Sequence, residues 1–257
     1  MYTVYCGNVC CKFRKLSDAD YFARKIGTVV FGIALPENDK GVENEDIIGY
    51  VRALKEAQPK YFLLENNASM TAENRDIISE IMGVQPILIN SSKVSAQERK
   101  RLYWTNIPNI IQPQDKGLFL RDIVESEDVK AHLDITITML LKTKGTLAFK
   151  KAWSNVRTLD QKAKTLTCSQ TVANSGATNV KSTNGRYYKL SPIECERLQT
   201  LPDNYTLAGG NISNTQRYKV TGNGWTVDVI AWIFSFLPKE NSLVELQDSI
   251  LELLDVI

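Results

Sequence analysis

Three side chains in the first half of the chain have the types and spacing of a binding site. Glu65 follows the apolar run Tyr61-Phe62-Leu63-Leu64, and Arg99 and Arg101 precede the apolar run Leu102 to Ile107. A short apolar strand that ends in a carboxylate delivers an acid to the rim of a sheet. A strand that begins after two arginines brings cations to the same rim, and in an open α/β sheet that rim is where ligands bind. A carboxyl group and arginines around one small space suit a flat polar heterocycle such as a nucleic-acid base. A plain ion pair between Glu65 and an arginine is the alternative reading of the same residues.

The elements that must position these groups are legible as periodic runs. Ile47, Ile48, Val51 and Leu54 have the spacing of a buried helix stripe over Asp46 to Ala57, and Gln58-Pro59 stops it. Tyr61 to Leu64 reads as a strand, Asn74 to Met82 as a helix ended by Gly83, and Pro86 to Ile89 and Leu102 to Ile107 as two more strands. This alternation predicts a parallel α/β sheet. From Asn109 to about Lys189 short β-like pieces alternate with small polar residues, and Ser169 to Gly185 reads as a mobile loop. Ser191 then caps a helix with Pro192 at its first position and Glu194 in its first turn; Pro202-Asp203 ends it. Val227 to Leu237 and Ser242 to Leu254 read as further helices.

With 257 residues, 43% of them apolar, the chain can bury one large core or two smaller ones. A net charge of +2 says little about partners, but its distribution says more. Leu141 to Leu190 holds ten Lys/Arg and one acid, Asp160, whereas Lys239 to Ile257 holds five acids and one Lys. The basic stretch is either a phosphate-contacting surface or a solvated loop. Cys6, Cys10, Cys11, Cys168 and Cys195 are odd in number and lack a framework spacing, which reads as free thiols in a reducing, cytoplasmic setting. The only histidine, His132, has no evident metal-ligating companion, and no signal-peptide pattern or membrane-length apolar run is present.

Five segments, in order, resemble the C-terminal two-thirds of cytosine-C5 DNA methyltransferases of the bacterial and phage type. Leu64-Glu65-Asn66 is similar to the family's Glu-Asn-Val motif, and Gln97-x-Arg99-x-Arg101 to its Gln-x-Arg-x-Arg motif. Lys164-Thr165-Leu166-Thr167 resembles the Thr-Leu signature, Leu190 to Leu198 the Leu-x-Pro-x-Glu-x-x-Arg helix, and Gln216-x-Tyr218-Lys219 with Gly222-Asn223-Gly224 the last motif. The resemblance implies an α/β fold: a truncated, Rossmann-like sheet of the S-adenosylmethionine-dependent methyltransferase kind with a small, mainly β target recognition domain. It implies a methyltransferase-like part over 1–108 and 215–257, degenerate over 1–45, and a recognition domain over 109–214 that includes the 190–200 helix.

The same resemblance implies roles. A thiolate attacks C6 of a cytosine flipped from the duplex. Glu65 takes the position that bonds N3, Arg101 the one that bonds O2, and Arg99 orients the site. Asn223 and Gly224 fall where the family walls its cofactor pocket, and Arg197 ties its helix to the recognition domain. Gln97 and Thr165 by the resemblance, and Lys162, Lys164, Lys181 and Arg186 from the basic stretch, are expected on double-stranded DNA, with sequence choice from the loop near Ser169 to Thr183.

The departures concern activity. Nothing matches the glycine turn that holds S-adenosylmethionine, although Cys6-Gly7-Asn8 resembles the Cys-Gly-Gln after it. Tyr21 to Ile26 resembles a second motif, with Lys25 where an acid would bind the cofactor ribose. The stretch before Ala34 is too short for the missing strands. No Pro-Cys pair exists: the strand-like Val29 to Leu35 leads to Pro36-Glu37, and Cys10 and Cys11 lie too far upstream. Three functions compete: a catalytically silent DNA-binding relative, one subunit of a split methyltransferase completed in trans by a partner that brings the missing motifs, and a protein-interaction module or inhibitor. S-adenosylmethionine is expected only with the second.

Overall fold

The structure, a computed structural model, describes residues 2–6, 9–13, 30–31, 44–126, 146–168, 177–207 and 209–238. In chain order the elements are β1 (Tyr2–Cys6), β2 (Val9–Phe13), β3 (Val30–Phe31), α1 (Asn44–Ala57), β4 (Phe62–Asn67), α2 (Ala72–Met82), β5 (Ile87–Asn90) and β6 (Lys100–Thr105). There follow α3 (Leu147–Ser154), β7 (Val156–Thr158), β8 (Asn179–Lys181), β9 (Tyr187–Lys189), α4 (Pro192–Leu198), α5 (Asn214–Asn223) and α6 (Val227–Phe234). The helix expected over Ser242 to Leu254 and the motif at Tyr21 to Ile26 lie outside the described residues.

Six strands form one sheet in the order β2-β1-β3-β4-β6-β5. It is mixed, which corrects the expectation of a parallel sheet. Only β3 and β4 run parallel; β6 is antiparallel to both β4 and β5, and β1 is antiparallel to β3. Side-chain alternation reports which face a residue takes, not which way its neighbour runs, so the pattern could not decide this.

Alternation does sort the faces. Leu63 and Tyr103 lie on one, with Ile89, and bury against Val229, Ile230 and Ile233 of α6. Leu64, Leu102 and Trp104 lie on the other, against Tyr50 of α1 and Ile78 of α2, with Val51 and Leu54 alongside. Each fully buried Leu or Ile stabilises by about 1.5–3 kcal/mol, so these two clusters hold the rim of the sheet in place. Trp104 also donates its indole N–H to Ser79 Oγ at 3.0 Å. The helix stop expected at Gly83 is a left-handed residue, φ 67°, which only glycine adopts without strain.

A smaller sheet, β7-β8-β9, packs through Val180 with Leu166, Leu190, Cys195, Leu198 and Tyr218. Its central strand β8 lies inside the stretch read as a loop. Val180 is buried between β7 and β9, so residues 179–181 are strand rather than loop; residues 169–176 lie outside the described set.

The start of α4 follows the sequence closely. Ser191 Oγ accepts from Glu194 N at 3.1 Å, Glu194 Oε2 accepts from Ser191 N at 2.9 Å, and Ser191 Oγ donates to the Glu125 carboxylate. Ser191→Ala removes both bonds of that hydroxyl. We expect a loss of about 1–2 kcal/mol, the upper part of the range for N-caps, read as a lower urea midpoint with an unchanged m-value. A midpoint within error of wild type would show that water replaces the cap.

Candidate functional site

Antiparallel pairing of β4 with β6 sets Glu65 opposite Tyr103 and Asn67 opposite Arg101. Glu65 and Arg101 are therefore diagonal neighbours on one face, within reach of long side chains. Arg101 Nε lies 2.8 Å from Glu65 Oε1, and Arg101 Nη1 donates to Asn67 Oδ1 at 3.2 Å and to the carbonyl of Lys100 at 3.0 Å. Glu65 is 2% exposed and Arg101 6%, so this is a closed polar pair at the end of an apolar face. Burial, and then the Glu65 charge, push the Tyr103 phenol well above the ordinary tyrosine range, so it stays protonated.

Trp225 completes the arrangement, and sequence reading missed it. Its indole Nε1 donates to Glu65 Oε2 at 2.8 Å, so both carboxylate oxygens face a donor. The one local signal was its place directly after Gly222-Asn223-Gly224, since an aromatic with an N–H beside such a turn can reach a carboxylate.

Arg99 does not join Glu65. Its guanidinium spans three carbonyls: Leu166 O at 3.2 Å from Nη1, and Gly222 O at 3.4 Å and Gly224 O at 3.0 Å from Nη2. A rigid fork of donors suits this clamp, which ties the segment after β7 to the end of α5. Arg99 thus positions the segments that border the site and leaves the carboxylate to Arg101.

Gln97 is corrected from a DNA contact to an internal knot. It is 0% exposed, its amide donates to Leu198 O and Gln199 Oε1, both at 3.2 Å, and its Oε1 accepts from Leu166 N at 2.7 Å. Gln199 in turn donates to Thr221 O at 2.6 Å and to Gly224 O at 3.1 Å. Lys162 is corrected too. Its three ammonium protons meet the carbonyls of Ser92 at 2.6 Å, Ser95 at 3.3 Å and Leu118 at 2.7 Å, so no donor is left for a phosphate. Burial lowers its pKa.

The remaining expected residues are dispersed around the pair. Lys164 donates to Asn155 Oδ1 at 2.6 Å, and Thr165 Oγ1 donates to Glu98 O at 2.7 Å. Lys181 and Arg186 are exposed on the small sheet. Asn223 is exposed, its Oδ1 accepting from the Cys168 thiol at 2.7 Å, while the carbonyl of Gly224 serves Arg99 and Gln199. Gly222 touches the opposite segment so closely that a Cβ there would lie 2.3 Å from Thr167 C and 2.5 Å from Cys168 N. Arg197 donates to Ile123 O at 2.9 Å and grips Asp203 with Nε and Nη2 at 2.7 and 2.6 Å, which lowers the Asp203 pKa.

Two upstream readings meet the topology. Cys10 and Cys11 lie on β2, three strands from β4, or roughly 14 Å at ordinary strand spacing. Cys6 lies at the far end of β1, which runs antiparallel to β3, so its place in the sheet is away from the rim where β3 and β4 end. The residues on either side of β3, 14–29 and 32–43, lie outside the described set. Among the described residues, no group of three His, Cys, Asp or Glu is placed to hold a metal. No helix among them is long and apolar enough to cross a membrane.

Residues 44–239 match the family model described as C-5 cytosine-specific DNA methylase. Among solved structures, the S. pombe Dnmt2 methyltransferase superposes with a TM-score of 0.62 at 17% identity, over 87% of this chain and 80% of that one. A Spodoptera frugiperda DNMT2 mutant gives 0.61 at 18% identity, over 84% and 81%. The Entamoeba histolytica methyltransferase EhMeth gives 0.62 at 14% identity, over 89% and 84%. At these identities the likeness to the solved structures is one of fold.

Proposed function

Given that this chain belongs to the C-5 cytosine-specific DNA methylase family, we propose that it binds DNA through the Glu65–Arg101 site and transfers no methyl group alone. The observation that carries this reading is the sequence directly after β3. That strand lies parallel beside β4, so its C-terminal end is at the rim that holds Glu65 and Arg101. In the sequence that follows β3, the family resemblance calls for Pro-Cys-Gln, and this chain reads Leu35-Pro36-Glu37. A carboxylate is a far poorer nucleophile than a thiolate toward a pyrimidine ring. The groups that would grip the base remain while the group that would attack it is replaced.

In this reading residues 109–214 carry DNA contacts, with Lys181 and Arg186 on phosphates and Thr165 near the extruded base. Arg101 donates to the base O2 and Glu65 bonds its N3 edge, while Arg99 holds the surrounding backbone. S-adenosylmethionine belongs to it only if a partner chain supplies a glycine turn and Pro-Cys-Gln, with Asn223 and Gly224 then facing the shared pocket.

A methyl-transfer assay with labelled S-adenosylmethionine and duplex DNA, run beside gel shifts across salt concentrations, tests this. We expect no incorporation by the chain alone, and binding that weakens as salt rises. Robust incorporation by the chain alone overturns silence. Absence of binding at every salt concentration overturns the DNA role and leaves a protein-interaction module. Incorporation restored by a co-purifying chain with the missing motifs would make this one subunit of a split enzyme.

A further inference from the structure

Glu65 is almost fully buried, and a carboxylate that no solvent reaches cannot meet a base until something moves. We propose that Trp225 is a donor-mimicking gate on this site: its indole N–H holds the carboxylate oxygen that an incoming cytosine must take. The proposal rests on the base-binding reading given above and adds a residue to it.

Three observations converge on Trp225. It spends its N–H on Glu65 Oε2, whereas Arg101 stands at Oε1, so the two oxygens have different partners and only one needs to change. Trp225 is only half-buried, whereas Glu65, Arg101 and Tyr103 are buried. Its backbone neighbours are anchored: Gly224 O accepts from Arg99 and Gln199, and Thr226 Oγ1 donates to Gln199 Oε1 at 2.8 Å. A side-chain swing that gives up the ring's packing against the cluster of Leu63, Ile89 and Val229 can therefore open the site while the backbone stays in place.

The exchange conserves hydrogen bonds. A buried carboxylate that loses a donor pays the desolvation cost of an unmet acceptor, so the indole leaves readily only when another N–H replaces it. The cytosine amino edge, or its protonated N3, supplies that N–H, and Arg101 beside it can donate to the base O2. A ligand without an N–H donor edge has nothing to offer Glu65 in return. The gate thus selects for the hydrogen-bonding pattern of the occupant as well as its size.

A single-stranded oligo-deoxycytidine tests this without a flipping cost or a known target sequence, and an abasic oligonucleotide of equal length controls for phosphate contacts. Binding is measured for the full chain and for Trp225→Phe, which keeps an aromatic ring but lacks the N–H, and for Trp225→Ala. We expect the preference for oligo-deoxycytidine over the abasic strand to rise about ten-fold in Trp225→Phe, the scale of one hydrogen bond to a charged group. The wild-type emission should shift to the red on adding oligo-deoxycytidine, and that shift should be missing in Trp225→Phe. If wild type and both folded variants show the same base preference, and Glu65→Gln abolishes it, the gate is wrong and the base site stands. If none of the proteins distinguishes the two strands, the base site itself fails, and the gate with it. A preference that falls in both folded variants makes Trp225 a stacking platform and also overturns the gate.

Discussion

Replacing Arg217 by Met should lower the stability of this chain by about 3–5 kcal/mol, far more than any exposed ion pair can account for. Arg217 Nη2 lies 2.9 Å from Glu196 Oε1, and its Nε donates to Thr206 Oγ1 at 2.9 Å. Glu196 is 0% exposed and also accepts from Asn204 N at 2.7 Å and Thr206 N at 2.9 Å. The carboxylate thus joins α4, the turn after it and α5. Removing the guanidinium leaves a buried charge with amide and hydroxyl donors but no counter-charge, and no water can reach it. For a chain of this length the loss corresponds to a fall in Tm of about 6–20 °C. The contrast is Arg52–Glu56 on α1, an i,i+4 pair with side chains 70% and 39% exposed, where Arg52→Met should change stability by less than about 0.5 kcal/mol. The double variant Glu196→Leu, Arg217→Met should recover much of the loss, because it removes both charges. Thermal and urea melts of the four proteins check this; equal small losses for Arg217→Met and Arg52→Met would mean that the buried pair is hydrated.

Arg217 also marks where sequence reading stops. The α4 cap was legible because Ser191, Pro192 and Glu194 act on one another within a single turn. Gly83 was legible as a helix stop for the same reason. The strands around Glu65 were legible as apolar runs, although β4 continues past Glu65 to Asn67, so the acid lies within the strand and not at its end. Arg217, Gln97 and Arg99 act on partners 11 to 125 residues away in the chain. No local spacing encodes such partners. Arg99 and Arg101 look equivalent in sequence, two residues apart. Arg99 stands just before β6 and faces the carbonyls of Leu166, Gly222 and Gly224, whereas Arg101 stands inside β6 and faces Glu65. Family resemblance could name both as site residues; only the path of the backbone divides their roles.

Gly222→Ala should separate that clamp from the helix it belongs to. Gly222 lies near the end of α5, where helix propensity alone would favour Ala by about 1 kcal/mol. The opposite sign is expected here. An ideal Cβ would stand 2.3 Å from Thr167 C, 2.4 Å from Thr167 O and 2.5 Å from Cys168 N, closer than carbon approaches backbone atoms in folded proteins. Those atoms belong to a backbone and cannot rotate away, so either α5 or the 165–168 segment must shift. Overpacking of this kind costs about 1–3 kcal/mol or more, which outweighs the propensity gain. Any such shift pulls apart the two carbonyls, of Leu166 and Gly222, that Arg99 Nη1 and Nη2 hold together. Gly49→Ala in α1 is the matched control, because a Cβ there meets nothing within 4 Å and should stabilise by about 0.5–1 kcal/mol. Melts of both variants test the sign of each change. Oligo-deoxycytidine binding, compared at a temperature where both variants are fully folded, then tests the link to function. We expect Gly222→Ala to bind about ten-fold or more weakly than Gly49→Ala, since the segments bordering Glu65 and Trp225 no longer meet in register. A Gly222→Ala chain that melts higher than wild type, or that binds as well as the control, would show that the close approach at Thr167 is not needed to hold the site.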